Sequence, residues 1–594
     1  MIAFIFGLIL LAAPFVLLSL FKDKKRGFIF ILFFLISFHT VLALTTQILH
    51  IFYYWVIIVA SAIADIILAG WIIKHKPQKL SLSLKSIDWV LFAVILISIL
   101  TLYQVHYNYT GGINVATDST VSYHSKENMK YVYPYFSDEW YAVLLTNKTI
   151  DTHSLPTKNF DNSFFLNMEL FFHSFLAEIV LILGIDPLLQ YSALSVFANL
   201  LIVVLVYLFL RINKLSTVSS SLPALSVLYI TPGANLPGIW SLIPLNSGII
   251  LSLIGFCFLA MDSLLFGALS LLMVSLFYAP LTPFFAAAAT VFLFYKLLKD
   301  NEKMLKRAVI IFVIFVLCLP VIYIIWAITP AAWFLFYITG RSFFISFSGN
   351  NTPQLNFLYI IPWQAILFFM FGVFYVYKNK KWLFYSFLFS AMFWFFYSLT
   401  TYRLMVEFER VVIFTSVLTI LISGFGIEKL VEYMRSKNKE NATAWLKGAQ
   451  IGVLALFLIF VPSYTQRDSW KNLVLKSNTD SSVYYPKSPA NNYLVPDDLR
   501  IFKGVENKKF LSMPWKGTVV GVATGNYPVI TKEGTISNGS ESDAFAFMLS
   551  SCEEKNKIAK NYAVDYVYVY DFNCPGFKKI SQSNEGFVLF EVLK

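Results

Sequence analysis

The sequence predicts an all-α polytopic membrane domain of about fourteen transmembrane helices, followed by a small C-terminal α/β or α+β domain. Three observations carry this. Of 594 residues, 58% are hydrophobic and only 13% charged; basic residues gather in short loops between apolar runs; and after Pro462 the composition turns polar. A soluble chain of this length cannot hide so much apolar surface in one core, so lipid must solvate much of it.

The apolar runs fall near 1–20, 27–47, 50–73, 88–105, 188–210, 218–232, 240–260, 264–279, 284–298, 308–328, 357–377, 383–400, 410–428 and 448–464. Met1 to Leu20 has no basic region before it and no small-residue cleavage site after it, so it reads as the first span and not as a cleavable signal. Pro223, Pro232, Pro237, Pro244, Pro280 and Pro283 interrupt the spans between 218 and 298, which predicts broken or re-entrant helices there.

The formal charge of +12 is distributed in a way that argues against nucleic acid. It sits at Lys22 to Arg26, Lys74 to Lys79, Lys296 to Arg307, Lys378 to Lys381 and Lys429 to Lys447. Placing those loops in the cytoplasm makes membrane lipids with anionic headgroups their partners. The N-terminus, the loops 106–187, 329–356 and 401–409, and the C-terminal domain then lie extracytoplasmically in a protein of the cell membrane. Domain boundaries follow at 1–464 for the transmembrane part and 465–594 for the outer soluble part.

Within the outer loop 106–187, the run Tyr135-Phe136-Ser137-Asp138-Glu139-Trp140 places two carboxylates just above an apolar span. Carboxylates at that level suit chemistry on a lipid-borne substrate. The bland alternative is a solvated acidic pair at a helix start, where Asp is common. Further along, Phe164 to Ile185 has a helical apolar pattern interrupted by Glu169, His173 and Glu178, which predicts a helix lying in the interface. Glu169 and His173, four apart, share one face; two ligands make an incomplete metal site.

The C-terminal domain offers alternating strands at Gly517–Val522, Val564–Tyr570 and Gly586–Val592, a turn at Pro496-Asp497-Asp498, and a helical stretch from Ser542 to Tyr562. Cys552 and Cys574 both lie there and would be free to pair outside the cell, or to remain thiols. Cys257 and Cys318 fall in apolar runs, where a buried thiol is the default.

The segment from Ser137-Asp138-Glu139-Trp140 through His153-Ser154-Leu155-Pro156 resembles the first outer loop of the GT-C superfamily of membrane glycosyltransferases. Arg403 and Glu407-Phe408-Glu409-Arg410, with the run Val411 to Gly426, look like that family's late outer loop and following span. The tail, with Tyr562 to Tyr568 and Gly586 to Phe590, looks like its appended outer domains. The resemblance implies an inverting glycosyltransferase of the cell envelope. It would move a sugar, hexose or pentose, from a polyprenyl-phosphate donor to a glycan, lipid or protein acceptor on the extracytoplasmic face. No WWDYG-like motif occurs in the tail, which argues against glycosylation of protein asparagines.

Inverting transfer needs a base for the acceptor hydroxyl and a cation for the departing phosphate. Asp138 is the candidate base, with Glu139 assisting. Arg410, Arg403 and Arg341 are the candidates for donor phosphate, because a guanidinium fork matches phosphate oxygens; snorkelling to the interface is the alternative use. His153, Lys158, Tyr135 and Trp140 are candidate substrate contacts. No cofactor is fixed by the sequence and the metal is unknown, though carboxylates suit Mg2+ or Mn2+. The rival class is a polytopic transporter or flippase of lipid-linked or polar solutes. It would place ionisable residues in mid-span, and here the spans are nearly free of charge.

Overall fold

A computed structural model describes residues 2–21, 23–74, 88–107, 113–116, 123–126, 133–134, 137–165, 167, 169–230, 241–299, 361–399, 408–437, 442–461, 494, 496–531, 539–584 and 586–593. The chain is mostly helical, with a small sheet domain at its C-terminal end.

Helices form at every expected span except 308–328, which lies outside the described residues. They are α1 (Ile2–Ala12), continued by a 3-10 segment Ala13–Leu20, α2 (Lys24–Ile48), α3 (Tyr54–Lys74) and α4 (Trp89–Tyr107). After a two-stranded hairpin, β1 (Ile113–Ala116) with β2 (Tyr123–Lys126), come α5 (Ser137–Thr152), α6 (Leu170–Leu183), α7 (Pro187–Ile212) and α8 (Thr217–Ser226). Then follow α9 (Pro244–Ala260), α10 (Leu264–Tyr278), α11 (Thr282–Lys299), α12 (Trp363–Asn379), α13 (Lys381–Leu399), α14 (Phe408–Lys437) and α15 (Ala442–Phe460). Among the described residues, four helical stretches are long and apolar enough to cross a bilayer: Lys24–Ile48, Pro187–Ile212, Leu264–Lys296 and Arg410–Lys437.

Two of the six prolines fall at helix breaks, Pro244 and Pro283 lie at helix starts, and Pro232 and Pro237 lie outside the described residues. Pro223 lies inside α8, which tightens into a 3-10 turn at Val227–Tyr229, and Pro280 sits in the 3-10 turn Ala279–Leu281 that separates α10 from α11. That break leaves Tyr278 at the end of α10. The long helix α14 is central, with Val411 to Phe414 and Ile420 to Ile422 all buried. It meets α12 at backbone contact: a Cβ on Gly372 would stand 2.1 Å from the Ile422 carbonyl oxygen, and one on Gly426 1.9 Å from that of Phe368. Only residues without a Cβ permit that crossing.

One helix departs from expectation. α6 does not lie on a surface; eleven of its residues are buried, His173 and Glu178 among them. Its polar interruptions are internal because α2 offers partners. His39 Nδ1 is 2.6 Å from Glu178 Oε1, and Gln47 donates to the Ser174 carbonyl at 3.2 Å. The apolar spans are therefore not as free of ionisable groups as the sequence implies.

The five-stranded sheet has the order β4-β3-β5-β7-β6, with β3 (Lys509–Ser512), β4 (Tyr527–Pro528), β5 (Tyr566–Tyr570), β6 (Phe577–Gln582) and β7 (Phe587–Val592). β3 runs parallel to β4 and β5, whereas β5–β7 and β6–β7 are antiparallel. Val567 and Val569 face a core with Phe547 and Ile558 from α18 (Glu541–Leu549) and α19 (Cys552–Asn561). Tyr568 faces the other layer, with Phe502, Phe510 and Val520. Burial on both faces explains why β5 is buried along its middle despite its alternating Tyr-Val sequence. Cys552 and Cys574 are joined by a disulfide; Cys257 is buried and Cys318 lies outside the described residues.

Three expected elements are different here. Gly517–Val522 is not a strand but part of helix α17 (Pro514–Thr524), which begins with Pro at its first position and packs Val519 and Val522 into the main helical core. Tertiary burial overrides β propensity at that point. Pro496-Asp497-Asp498 starts a short helix, α16 (Pro496–Ile501), whose Asp498 is fully buried against Lys516 (2.5 Å) and the Tyr568 hydroxyl (2.6 Å). The stretch from 542 to 562 breaks into two helices at Ser550-Ser551, where the Ser551 hydroxyl caps α19 by accepting from Glu554 N. The boundary expected at 464/465 lies outside the described residues.

The sheet domain packs on α5. α17 packs against α5, and Lys148 of α5 donates to the Phe160 carbonyl and Asn162 while lying over the Tyr527 ring at 5.7 Å. Burial pushes the Lys148 ammonium below its ordinary value, opposed by the charges of Asp151 and Asp161.

Candidate functional site

The acidic pair lies in the first turn of α5, where carboxylates favour the helix dipole. Successive residues on a helix point about 100° apart, so the two do different things. Glu139 is turned inward and is 2% exposed. Its Oε1 accepts from Ser195 Oγ (3.4 Å) of α7 and from the backbone N–H of Leu242 (3.3 Å), just before α9. Around it, Tyr191 donates to the Leu242 carbonyl at 2.6 Å, Leu242 N also reaches Ser195 Oγ at 3.1 Å, and Asn246 Nδ2 donates to Asn199 Oδ1 at 3.0 Å. This buried polar belt ties α5, α7 and α9 together at one end of the bundle.

Asp138 is half-buried and faces another set of groups. Arg410, in the first turn of α14, hydrogen-bonds the Tyr278 hydroxyl at the end of α10. The charges of Glu169 and Asp138 act on that same hydroxyl. Asp138 also acts, with Glu139, on the Tyr191 hydroxyl. Four elements distant in sequence thus bring two carboxylates, a guanidinium and a tyrosine within electrostatic range of one another.

The remaining sequence candidates lie elsewhere. His153 ends α5 in a left-handed conformation (φ 50°) and bonds the Phe52 carbonyl at 2.9 Å, with its ring 4.0 Å from that of Tyr53. It is roughly 22 Å from Asp138 along the helix, at about 1.5 Å per residue. Lys158 pairs through its backbone with Phe164, beyond the same far end of α5. Trp140 is fully enclosed in the core. Tyr135, Arg341 and Arg403 lie outside the described residues.

Two members of the cluster, Tyr278 and Glu169, were not expected. Tyr278 carries a weak signal in the sequence, as a polar aromatic directly ahead of Ala279-Pro280 at a span end. Glu169 and His173 have the i, i+4 spacing of a ligand pair, but His173 turns away to Asn167 Oδ1 at 3.1 Å. Among the described residues, no group of three or more His, Cys, Asp or Glu side chains is arranged to hold a metal ion.

No protein-family model and no curated protein matches the chain. Among solved structures, it is similar to the crystal structure of an oligosaccharyltransferase from Archaeoglobus fulgidus in complex with zinc and sulfate. The two are 10% identical over 84% of this chain and 73% of that one, with a TM-score of 0.41.

Proposed function

We propose that the protein is a polytopic membrane glycosyltransferase of the GT-C type, moving a sugar from a polyprenyl-phosphate donor to an acceptor on the extracytoplasmic face. The observation that carries this reading is the hydrogen bond of Arg410 to the Tyr278 hydroxyl with the charges of Glu169 and Asp138 in electrostatic range of it. A base and a phosphate-matched cation are the two groups an inverting transfer needs, and each comes from a different helix end.

In this mechanism Asp138 takes the proton of the acceptor hydroxyl as its oxygen attacks the anomeric carbon. The bond from that carbon to the donor phosphate breaks, and its electron pair leaves with the phosphate oxygen. Arg410 stabilises the charge that develops there, and in a site shielded from water such a contact is worth far more than at a surface. Tyr278 holds the guanidinium in place. Glu139 takes no proton in this scheme; its bonds to Ser195 and Leu242 fix the start of α5, and hence Asp138. His153, Lys158 and Trp140 are not assigned to the reacting centre.

A divalent ion would meet two carboxylates here, Asp138 and Glu169. Hard oxygen donors suit Mg2+ or Mn2+, which would take water and donor phosphate oxygens as their remaining ligands and would help neutralise the charge on the departing phosphate.

The test is transfer from a synthetic polyprenyl-phosphate sugar by purified protein and by Asp138→Asn. The variant keeps shape and hydrogen bonding, so folding should be retained while turnover falls by about 10²–10⁴-fold, the usual worth of a general base. Full activity in the folded variant removes Asp138 from the role of base.

A transporter or flippase is favoured by a different observation, the His39–Glu178 pair buried between α2 and α6. Movement of lipid-linked sugar across a reconstituted bilayer, unaffected by Asp138→Asn, would support that reading over transfer.

A further inference from the structure

At the opposite end of the bundle a cavity of about 720 Å³ opens beside the start of α2, lined by Phe21, Asp23, Lys24, Lys25, Arg26 and Phe30. Its apolar wall is formed by Phe21 stacked on Phe30, with ring centroids 6.2 Å apart. Three cations face one carboxylate, and that carboxylate is already engaged. Asp23 accepts from the backbone N–H groups of Lys25 and Arg26, and pairs with the Arg26 guanidinium at 3.3 Å. The helix terminus is therefore capped from within the chain.

The charge behind the cavity adds to the excess. Arg211, at the end of α7, lies in electrostatic range of Lys25 and repels it, while Asp88 attracts it. Asp88, however, is held by the Tyr207 hydroxyl through both carboxylate oxygens (3.1 and 3.0 Å) and by Leu91 N. Arg211 Nη1 donates to the Leu215 carbonyl, yet its Nε is buried with no hydrogen-bond partner among the described residues. A shallow, open cleft with basic side chains on one side and aromatic rings on the other matches an amphiphile that carries a phosphate.

We propose that this cleft is a discrete seat for an anionic phospholipid, its phosphate held by Lys24, Lys25 and Arg26 and an acyl chain laid along Phe21 and Phe30. Free phosphate shares the ionic half of the chemistry but has no use for the aromatic wall. The position at the end of an apolar span puts the cations at headgroup level. The site is independent of the proposed transfer reaction and does not require it.

The test uses the full chain in detergent, stripped of endogenous lipid, with retention of added phosphatidylglycerol and phosphatidylcholine compared by native mass spectrometry. Phosphatidylglycerol should be retained about tenfold or more over phosphatidylcholine. The triple variant K24Q/K25Q/R26Q should erase that preference, while K429Q/R435Q/K437Q, which removes three cations elsewhere on the chain, should keep it. The partly exposed Lys25→Gln alone should weaken retention by several-fold, which keeps the test open if the triple variant does not fold. Equal retention of the two lipids, an unchanged preference in K24Q/K25Q/R26Q, or equal loss in the control variant would overturn the proposal. Displacement of the lipid by millimolar inorganic phosphate would make this a phosphate site and overturn it too.

Discussion

The two ends of α7 are built from similar parts and do different things. Near its start, Tyr191 sits by Glu139, Ser195 and Leu242, and the charge of Asp138 reaches both it and Tyr278, which Arg410 hydrogen-bonds. Near its finish, Tyr207 sits by Asp88, with Arg211 and Lys25 behind. The two tyrosines are roughly 24 Å apart along the helix, close to the thickness of a bilayer core of about 30 Å. Toward its finish α7 is buried throughout from Ile202 to Leu210, whereas its first half carries Ser192, Ser195 and Asn199 and leaves Phe197 exposed. At the first end charges of both signs lie within range of one tyrosine hydroxyl, the arrangement on which the proposed transfer rests. At the second end Lys24, Lys25, Arg26 and Arg211 stand with Asp23 and Asp88, both of which already accept hydrogen bonds, the arrangement from which an anion seat is proposed.

That contrast is sharpest at Arg410. Replacing it by Gln should lower kcat/KM for the lipid-phosphate donor by about 10- to 150-fold, the equivalent of one charge-assisted hydrogen bond of about 1.5–3 kcal/mol. Arg410→Lys keeps the charge but loses the fork, and should recover only part of the loss. If Arg410→Gln left donor kinetics untouched, the two ends would differ in composition without differing in function. A smaller effect, on stability, is expected from Glu139→Ala. Removing the buried acceptor strands the Ser195 hydroxyl and weakens the hold on Leu242, at a cost of about 1–3 kcal/mol in unfolding free energy. The readout is denaturant unfolding in detergent, where an unchanged midpoint would contradict the positioning role.

Much of this architecture is legible in the sequence because bilayer thickness and charge distribution are coarse constraints. Span length predicts where helices form, and Pro280 marks the break that leaves Tyr278 at a helix end. The acidic pair and Arg410 are visible too, as ionisable residues at the edges of apolar runs. Which carboxylate turns inward is not visible, since Asp138 and Glu139 differ only by the rotation of one helical step, and their partners on α7, α10 and α14 are distant in the chain. The same limit applies to α6. Glu178 and His173 look like the polar face of an interfacial helix until His39 and Gln47, more than a hundred residues earlier, are seen to meet that helix inside the bundle. In the sheet domain, Gly517–Val522 has the composition of a strand, but it folds as a helix packed between α5 on one side and β3, β4 and α16 on the other.

The finest comparison between the ends is a pair of single-atom changes. Tyr278 accepts from Arg410, whereas Tyr207 donates to Asp88. Removing either hydroxyl deletes one hydrogen bond to a charged group and leaves the ring in place. On the proposed mechanism Tyr278→Phe frees the guanidinium assigned to the departing phosphate, so turnover should fall about three- to tenfold, with donor KM changing less than kcat if the interaction counts mainly in the transition state. Tyr207→Phe loosens a carboxylate that also caps α4 through Leu91 N, so its effect should fall on the melting temperature and not on turnover per folded molecule. Equal kinetic effects of the two substitutions would mean that Tyr278 serves packing alone, and that Arg410 is held by its helix without help.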